Sequence, residues 1–266
     1  MQQPTATDRA LGVFTGLAAG DRNGGPLQMA LQLASSLAER RRFDPADVFH
    51  RYLTWYQREG FDTGPTAAQV FRLALRGIPG DQAVQQVHVR ASGLTGGCNP
   101  AHRIGPMATA GFIPDDALPA AARSEAALTH LHPVAGEASV AVAVLCRRLI
   151  RGVDWAEALA LTRGGLGREV AAALRPSRHA TLDSGGYAPS VLRVAVWFLD
   201  QYPDFEEALN GALEFSGADN YAPVLVGALG GARWGAQAVP EDALTHLGAM
   251  RHQVADVAWR LVGGWR

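Results

Sequence analysis

Five short turns carry most of the side chains able to do chemistry. Asp21 lies in Gly20-Asp-Arg-Asn-Gly-Gly-Pro26, and Asp62 in Gly60-Phe-Asp-Thr-Gly64. Cys98 and Asn99 lie in Gly96-Gly-Cys-Asn-Pro100, with Arg103 three residues on. Asp183, Ser184, Gly185, Gly186 and Tyr187 are consecutive, as are Asp219, Asn220 and Tyr221. Carboxylates gathered at one place can act as general acid, base or nucleophile in hydrolysis of a glycosidic or amide bond. Asp21, Asp62 and Asp219 are the catalytic candidates, with Asp183 as a further carboxylate. Backbone amides around Gly96 to Asn99 could approach an anion, and Arg103 could pair with a phosphate or carboxylate. The plainer alternative is that each turn aspartate caps a helix and that Arg103 forms a structural ion pair.

Helices must position these turns. Ala10, Leu11, Phe14, Leu17 and Ala18 recur at helical spacing, and Leu27 to Arg40 carries a second apolar stripe. Asp44-Pro-Ala-Asp47 reads as a cap with proline in the first turn, launching Val48 to Arg58. Further helices are expected over residues 67–77, 119–129, 135–150, 155–162, 169–174, 191–199, 208–215 and 243–261. Val224 to Gly235 should form a helix whose face is built from small residues. The segments 78–95 and 93–106 read as irregular loops, which in compact domains are often functional. His130 and His132 are two apart, not the i, i+4 spacing of a helical zinc site. Glu137 could favour its helix dipole or partner His130. No stretch alternates as a strand, so the expected architecture is an all-α, single, compact multi-helix domain over residues 1–266.

With 266 residues, 48% of them hydrophobic, the chain can bury a large core. Net charge is −1 and all 24 basic residues are scattered arginines, so no footprint for nucleic acid is visible. Two cysteines, Cys98 and Cys146, are too few for a disulfide framework, and no apolar run reaches the roughly 20 residues that span a bilayer. A reduced, cytoplasmic setting without membrane association is expected.

Several segments resemble one family in its own order. Gly16-Leu-Ala-Ala-Gly-Asp21, Phe43-Asp-Pro-Ala-Asp-Val, Tyr52-Leu-Thr-Trp55 and Asp62-Thr-Gly-Pro-Thr66 look like the N-terminal half of ADP-ribosylglycohydrolases. Ala127-Leu-Thr-His-Leu-His-Pro133, Asp183-Ser-Gly-Gly-Tyr187, Phe205-Glu-Glu-Ala-Leu and Gly227-Ala-Leu-Gly-Gly-Ala-Arg-Trp-Gly235 continue the likeness. The resemblance implies a compact all-α protein. Active family members use paired magnesium or manganese ions to remove ADP-ribose from arginine, serine or related acceptors.

The same resemblance marks departures. The family's Thr-Asp-Asp metal triplet aligns with Gly24-Gly-Pro26, and its late Asp-x-Asp aligns with Ala218-Asp-Asn220. Two hard cations need several anionic oxygens each, so no metal or other cofactor is expected here. Asp183 to Tyr187 matches a loop lining the ribose and adenine end of the ligand. Cys98-Asn-Pro-Ala-His-Arg103 aligns with a loop whose amides approach the diphosphate, although Pro100 removes one donor. Cys98, Asn99, Arg103, Asp183 to Tyr187, Asn220 and Tyr221 are therefore the expected substrate-binding residues. The expected partner is a small, nucleotide-sugar-like molecule, and the expected activity is a divergent, metal-independent glycohydrolase. The alternative is an inactive relative that binds a ligand or protein.

Overall fold

Thr5 starts the first helix by accepting the Asp8 amide on its hydroxyl at 3.1 Å, and the helix α1 (Ala6–Gly20) runs to Asp21. The computed structural model describes residues 3–179 and 181–265, so residues 1, 2, 180 and 266 of the expected 1–266 domain lie outside them. After α1 come α2 (Gly25–Arg40), α3 (Pro45–Arg58), α4 (Pro65–Leu75) and α5 (Gly80–Arg90). Two short helices, α6 (Asn99–Arg103) and α7 (Gly105–Thr109), lead to α8 (Leu118–Ala126) and α9 (Pro133–Ile150). Then follow α10 (Trp155–Arg163), α11 (Arg168–Ala173), α12 (Ala188–Gln201), α13 (Phe205–Ser216), α14 (Ala222–Trp234) and α15 (Met250–Val262). Among the described residues the only β pairing is an isolated antiparallel bridge, Gly97 with Tyr187. The domain is all-α, as its periodicity indicates.

Its centre is α9, apolar on most sides, against which α1, α6, α7, α8, α10, α12 and α14 pack. The tightest contact is between α1 and α14. Gly12, Gly16 and Gly20 recur every four residues on α1, and Gly227 and Gly231 do so on α14. A Cβ on Gly16 would lie 2.1 Å from the Gly227 carbonyl oxygen, and one on Gly231 would lie 1.8 Å from that of Gly12. The backbones are therefore in direct contact, and only glycine fits at these crossings. Gly12 meets Gly231, Gly16 meets Gly227 and Gly20 meets Pro223, so the helices run antiparallel. The C-terminal end of α1 is thereby fixed against the N-terminal end of α14.

Three expectations need correction. Residues 78–95 are not a loop: α5 forms because Ala83, Val84 and Val87 share a face and bury it against Val70 and Leu73 in a small separate cluster. The expected helix over 243–261 is split by Gly248 at φ +51, with a 3₁₀ turn over Asp242–Leu247 before α15. Likewise the 93–106 segment is partly helical, carrying α6 and α7.

Candidate functional site

The α1–α14 ladder brings Asp21 to Asn220, 199 residues apart in sequence. Asp21 has no exposed surface. Its Oδ1 accepts the Gly24 amide at 2.8 Å and the Asn220 side-chain amide at 2.6 Å, and its Oδ2 accepts the Leu27 amide at 2.7 Å. Leu27 is in the first turn of α2, so this carboxylate satisfies N–H groups that the helix start leaves open. Burial raises the Asp21 pKa, opposed by hydrogen bonds from Leu27, Asn220, Gly24 and Asn23. From the other side, His246 Nε2 lies 3.3 Å from the Asp21 carbonyl oxygen, a neighbour that sequence spacing could not reveal.

Asn220 is itself buried and fully used. Its Nδ2 also donates to Asp62 Oδ2 at 3.3 Å, and its Oδ1 accepts the Arg22 amide at 3.3 Å. Asp62 sits at φ +45, in the left-handed region that aspartate tolerates better than bulkier residues. The Asp62 turn folds directly onto the start of α2: a Cβ on Gly25 would lie 2.4 Å from the Asp62 carbonyl oxygen. Unlike Asp21, Asp62 is exposed. Its pKa is raised by burial of part of the carboxylate and by the Asp21 charge, while Asn220 and Asn23 pull it back.

A second wall faces this corner. The Cys98 amide donates to the Gly186 carbonyl at 3.0 Å, and the Ala188 amide to the Gly96 carbonyl at 2.9 Å, which joins the 96–99 and 183–187 turns. The Tyr221 ring lies between them and α14: a Cβ on Gly186 would meet it at 3.1 Å, and His102 stacks on it at 6.5 Å between centroids. Asn99 lies against Gly64 of the Asp62 turn, where a Cβ would come within 2.5 Å of its amide oxygen. Burial pushes the Cys98 thiol up to about 12, so it is a packed thiol rather than a nucleophile. Tyr187 is partly exposed and its hydroxyl donates to Glu169 at 2.9 Å.

Not every candidate joins this cluster. Arg103 is wholly buried, its Nε donating to Glu125 at 2.6 Å and its NH2 group to Thr129 at 2.8 Å, with the guanidinium 5.0 Å from the Tyr52 ring centre. It is a core ion pair rather than a ligand-facing cation, because burying a guanidinium demands a buried partner. With the Cys98 amide committed to Gly186 and Pro100 lacking one, the 98–103 segment has few donors for an anion. Asp183 folds back to accept the Gly185 amide at 3.0 Å. Ser184 and Gly185 are exposed beside it. Asp219 is exposed, and its side chain makes no hydrogen bond among the described residues, whereas its carbonyl accepts the Arg22 guanidinium at 2.7 Å. Glu137 partners the Gly167 amide at 3.1 Å rather than His130. His130 is buried beside Thr129 at 2.8 Å and burial lowers its pKa to about 3, so it stays neutral in its core position.

The family model for ADP-ribosylglycohydrolases matches residues 27–266. The chain belongs to the ADP-ribosylglycohydrolase family. The match begins directly after Gly24-Gly25-Pro26. Among solved structures, one described as an "ADP-ribosylglycohydrolase-related protein complex" is 28% identical, covering 97% of this chain and 98% of its own, with a TM-score of 0.78. No curated protein matches the chain significantly. Paired hard cations need several anionic oxygens each. Asp21 already accepts from three N–H groups, the third member of the corner is an amide, and the Asp62 carbonyl fills the space a side chain at position 25 would need. Among the described residues no group of three or more His, Cys, Asp or Glu side chains is placed to hold a metal ion. Nor is any described helix long and apolar enough to cross a membrane.

Proposed function

We propose that the protein is a divergent glycohydrolase that acts on an ADP-ribose-like or nucleoside-like glycosidic substrate without paired divalent cations. The observation that supports this most is the asymmetry of the two carboxylates in one corner: Asp21 is sealed and saturated, whereas Asp62 reaches solvent with a raised pKa. A carboxyl whose pKa is raised by burial and a like charge suits proton donation to a leaving group. Asp62 is the catalytic residue of this reading. Asp21 positions it through Asn220. Asp219, on the turn that carries Asn220, is a second solvent-facing carboxylate and supplies the second group that glycoside hydrolysis requires. Tyr221 and Tyr187 present ring surface for a base or ribose, with Asn99, Asn220 and the 183–187 turn as polar neighbours.

The test is a chromatographic assay with ADP-ribosylated arginine and serine compounds, ADP-ribose and nucleosides, in chelator. Release of the sugar-linked group is expected, and Asp62→Asn should lower kcat by about 100-fold or more. Full activity in Asp62→Asn would overturn the assignment. A second reading, ligand binding without turnover, draws support from the commitment of Asp21 to backbone donors, which leaves few carboxylates for chemistry. It predicts that the same ligands raise Tm with no product formed.

A further inference from the structure

We propose that the Asn220 side-chain amide is the built-in substitute for a cation in this corner, holding the Asp21 and Asp62 carboxylates together by N–H donation. This deepens, and rests on, the metal-independent reading above.

Two carboxylates from separate parts of the chain converge on one nitrogen. Asn220 Nδ2 has two hydrogens, and they go to Asp21 Oδ1 at 2.6 Å and Asp62 Oδ2 at 3.3 Å. No ion pair among the described residues involves Asp21 or Asp62. The nearby guanidinium of Arg22 is turned to the Asp219 carbonyl instead. The work that a cation would do, holding like charges together, falls to neutral N–H groups: one amide plus the backbone of Gly24 and Leu27. The Asn220 oxygen is tied to the Arg22 amide, which fixes the direction of the side chain so that the nitrogen faces the acids.

An aspartate at position 220 keeps the oxygen that Arg22 holds but exchanges the donor nitrogen for a second acceptor. Three carboxylates, from the end of α1, the Asp62 turn and the approach to α14, would then share one small volume. Uncompensated, they repel; oxygen ligands in that number suit Mg2+ or Mn2+.

Thermal unfolding of the full chain decides it, comparing wild type, Asn220→Asp and Asn220→Ala, each in chelator and then with millimolar Mn2+. Wild type should show no saturable shift in Tm. Asn220→Asp should fall by about 5 °C or more in chelator and regain stability saturably with Mn2+, whereas Asn220→Ala should fall and not recover. If Asn220→Asp does not fold in chelator, refolding yield is compared with and without Mn2+, and only Asn220→Asp should gain. Saturable Mn2+ binding by wild type, or an identical Mn2+ response of the Asp and Ala variants, would overturn the proposal. Binding of ADP-ribose by wild type in chelator separates the two readings: its absence, with the Mn2+ response intact, removes the substrate reading and leaves the role of Asn220 standing.

Discussion

Glu125 and Asp21 are both carboxylates with no exposed surface, yet they are stabilised by different means. Glu125 sits against the Arg103 guanidinium at 2.6 Å and accepts the Tyr52 hydroxyl at 2.7 Å, deep among apolar helices. Asp21 has no cationic partner and relies on backbone amides and Asn220. The first corner carries its own counter-charge and is cut off from solvent, which makes it part of the core. The second is a sealed carboxylate linked through the Asn220 amide to the exposed Asp62. A buried charge that is neutralised on the spot does nothing further, whereas one held by neutral donors next to a second acid perturbs that acid.

That contrast can be broken from either side. Glu125→Ala should strip Arg103 of its only carboxylate and leave a buried guanidinium, costing about 3 to 5 kcal/mol in denaturant unfolding. Gly231→Ala attacks the ladder that aligns Asp21 with Asn220. Its Cβ meets backbone at 1.8 Å, so the helices must separate, with an expected loss of about 3 kcal/mol and a weakened Asp62 corner. Asp21→Ala removes acceptors for the Gly24 and Leu27 amides and should cost about 2 kcal/mol, while leaving the Arg103 corner untouched.

The smallest effect is the pH dependence of Asp62. Because its native pKa is raised, its contribution to stability is fully present below the ordinary aspartate value of 3.8 and is lost as pH rises through the native value. Asp62→Asn should therefore gain stability relative to wild type as pH rises above 3.8 in unfolding measurements. Asp47 is the opposite control. Hydrogen bonding from Arg40, with help from Ser36 and Arg51, holds it well below the usual range, so its contribution is present above 3.8 and is lost as pH falls.

Much of the helical plan is legible in sequence because the signals are local. Asp44 accepts an amide in the first turn of the helix it precedes, as its type and position suggest, and in the structure Asp154 and Asp204 do the same for theirs. α5 escaped because three apolar residues among glutamines make a weak pattern until Val70 and Leu73 complete it. The glycine face of α14 is visible in sequence, but its partner on α1 is not, since nothing local says which helix will approach so closely. The same holds in the site. Asp21, Asp62 and Asn220 stand out as turn residues, but their mutual hydrogen bonds depend on that long-range crossing. Arg103 misleads for the same reason: in a glycine- and proline-rich stretch it reads as an anion ligand, and only the burial of Tyr52, Glu125 and Thr129 around it shows otherwise.

Calorimetric titration of the full chain with ADP-ribose, once in chelator and once with Mg2+, shows whether ligand binding needs a divalent cation. Saturable binding of equal affinity in both, weakened in Asp62→Ala, is the expected result. Binding that appears only when Mg2+ is supplied would contradict it.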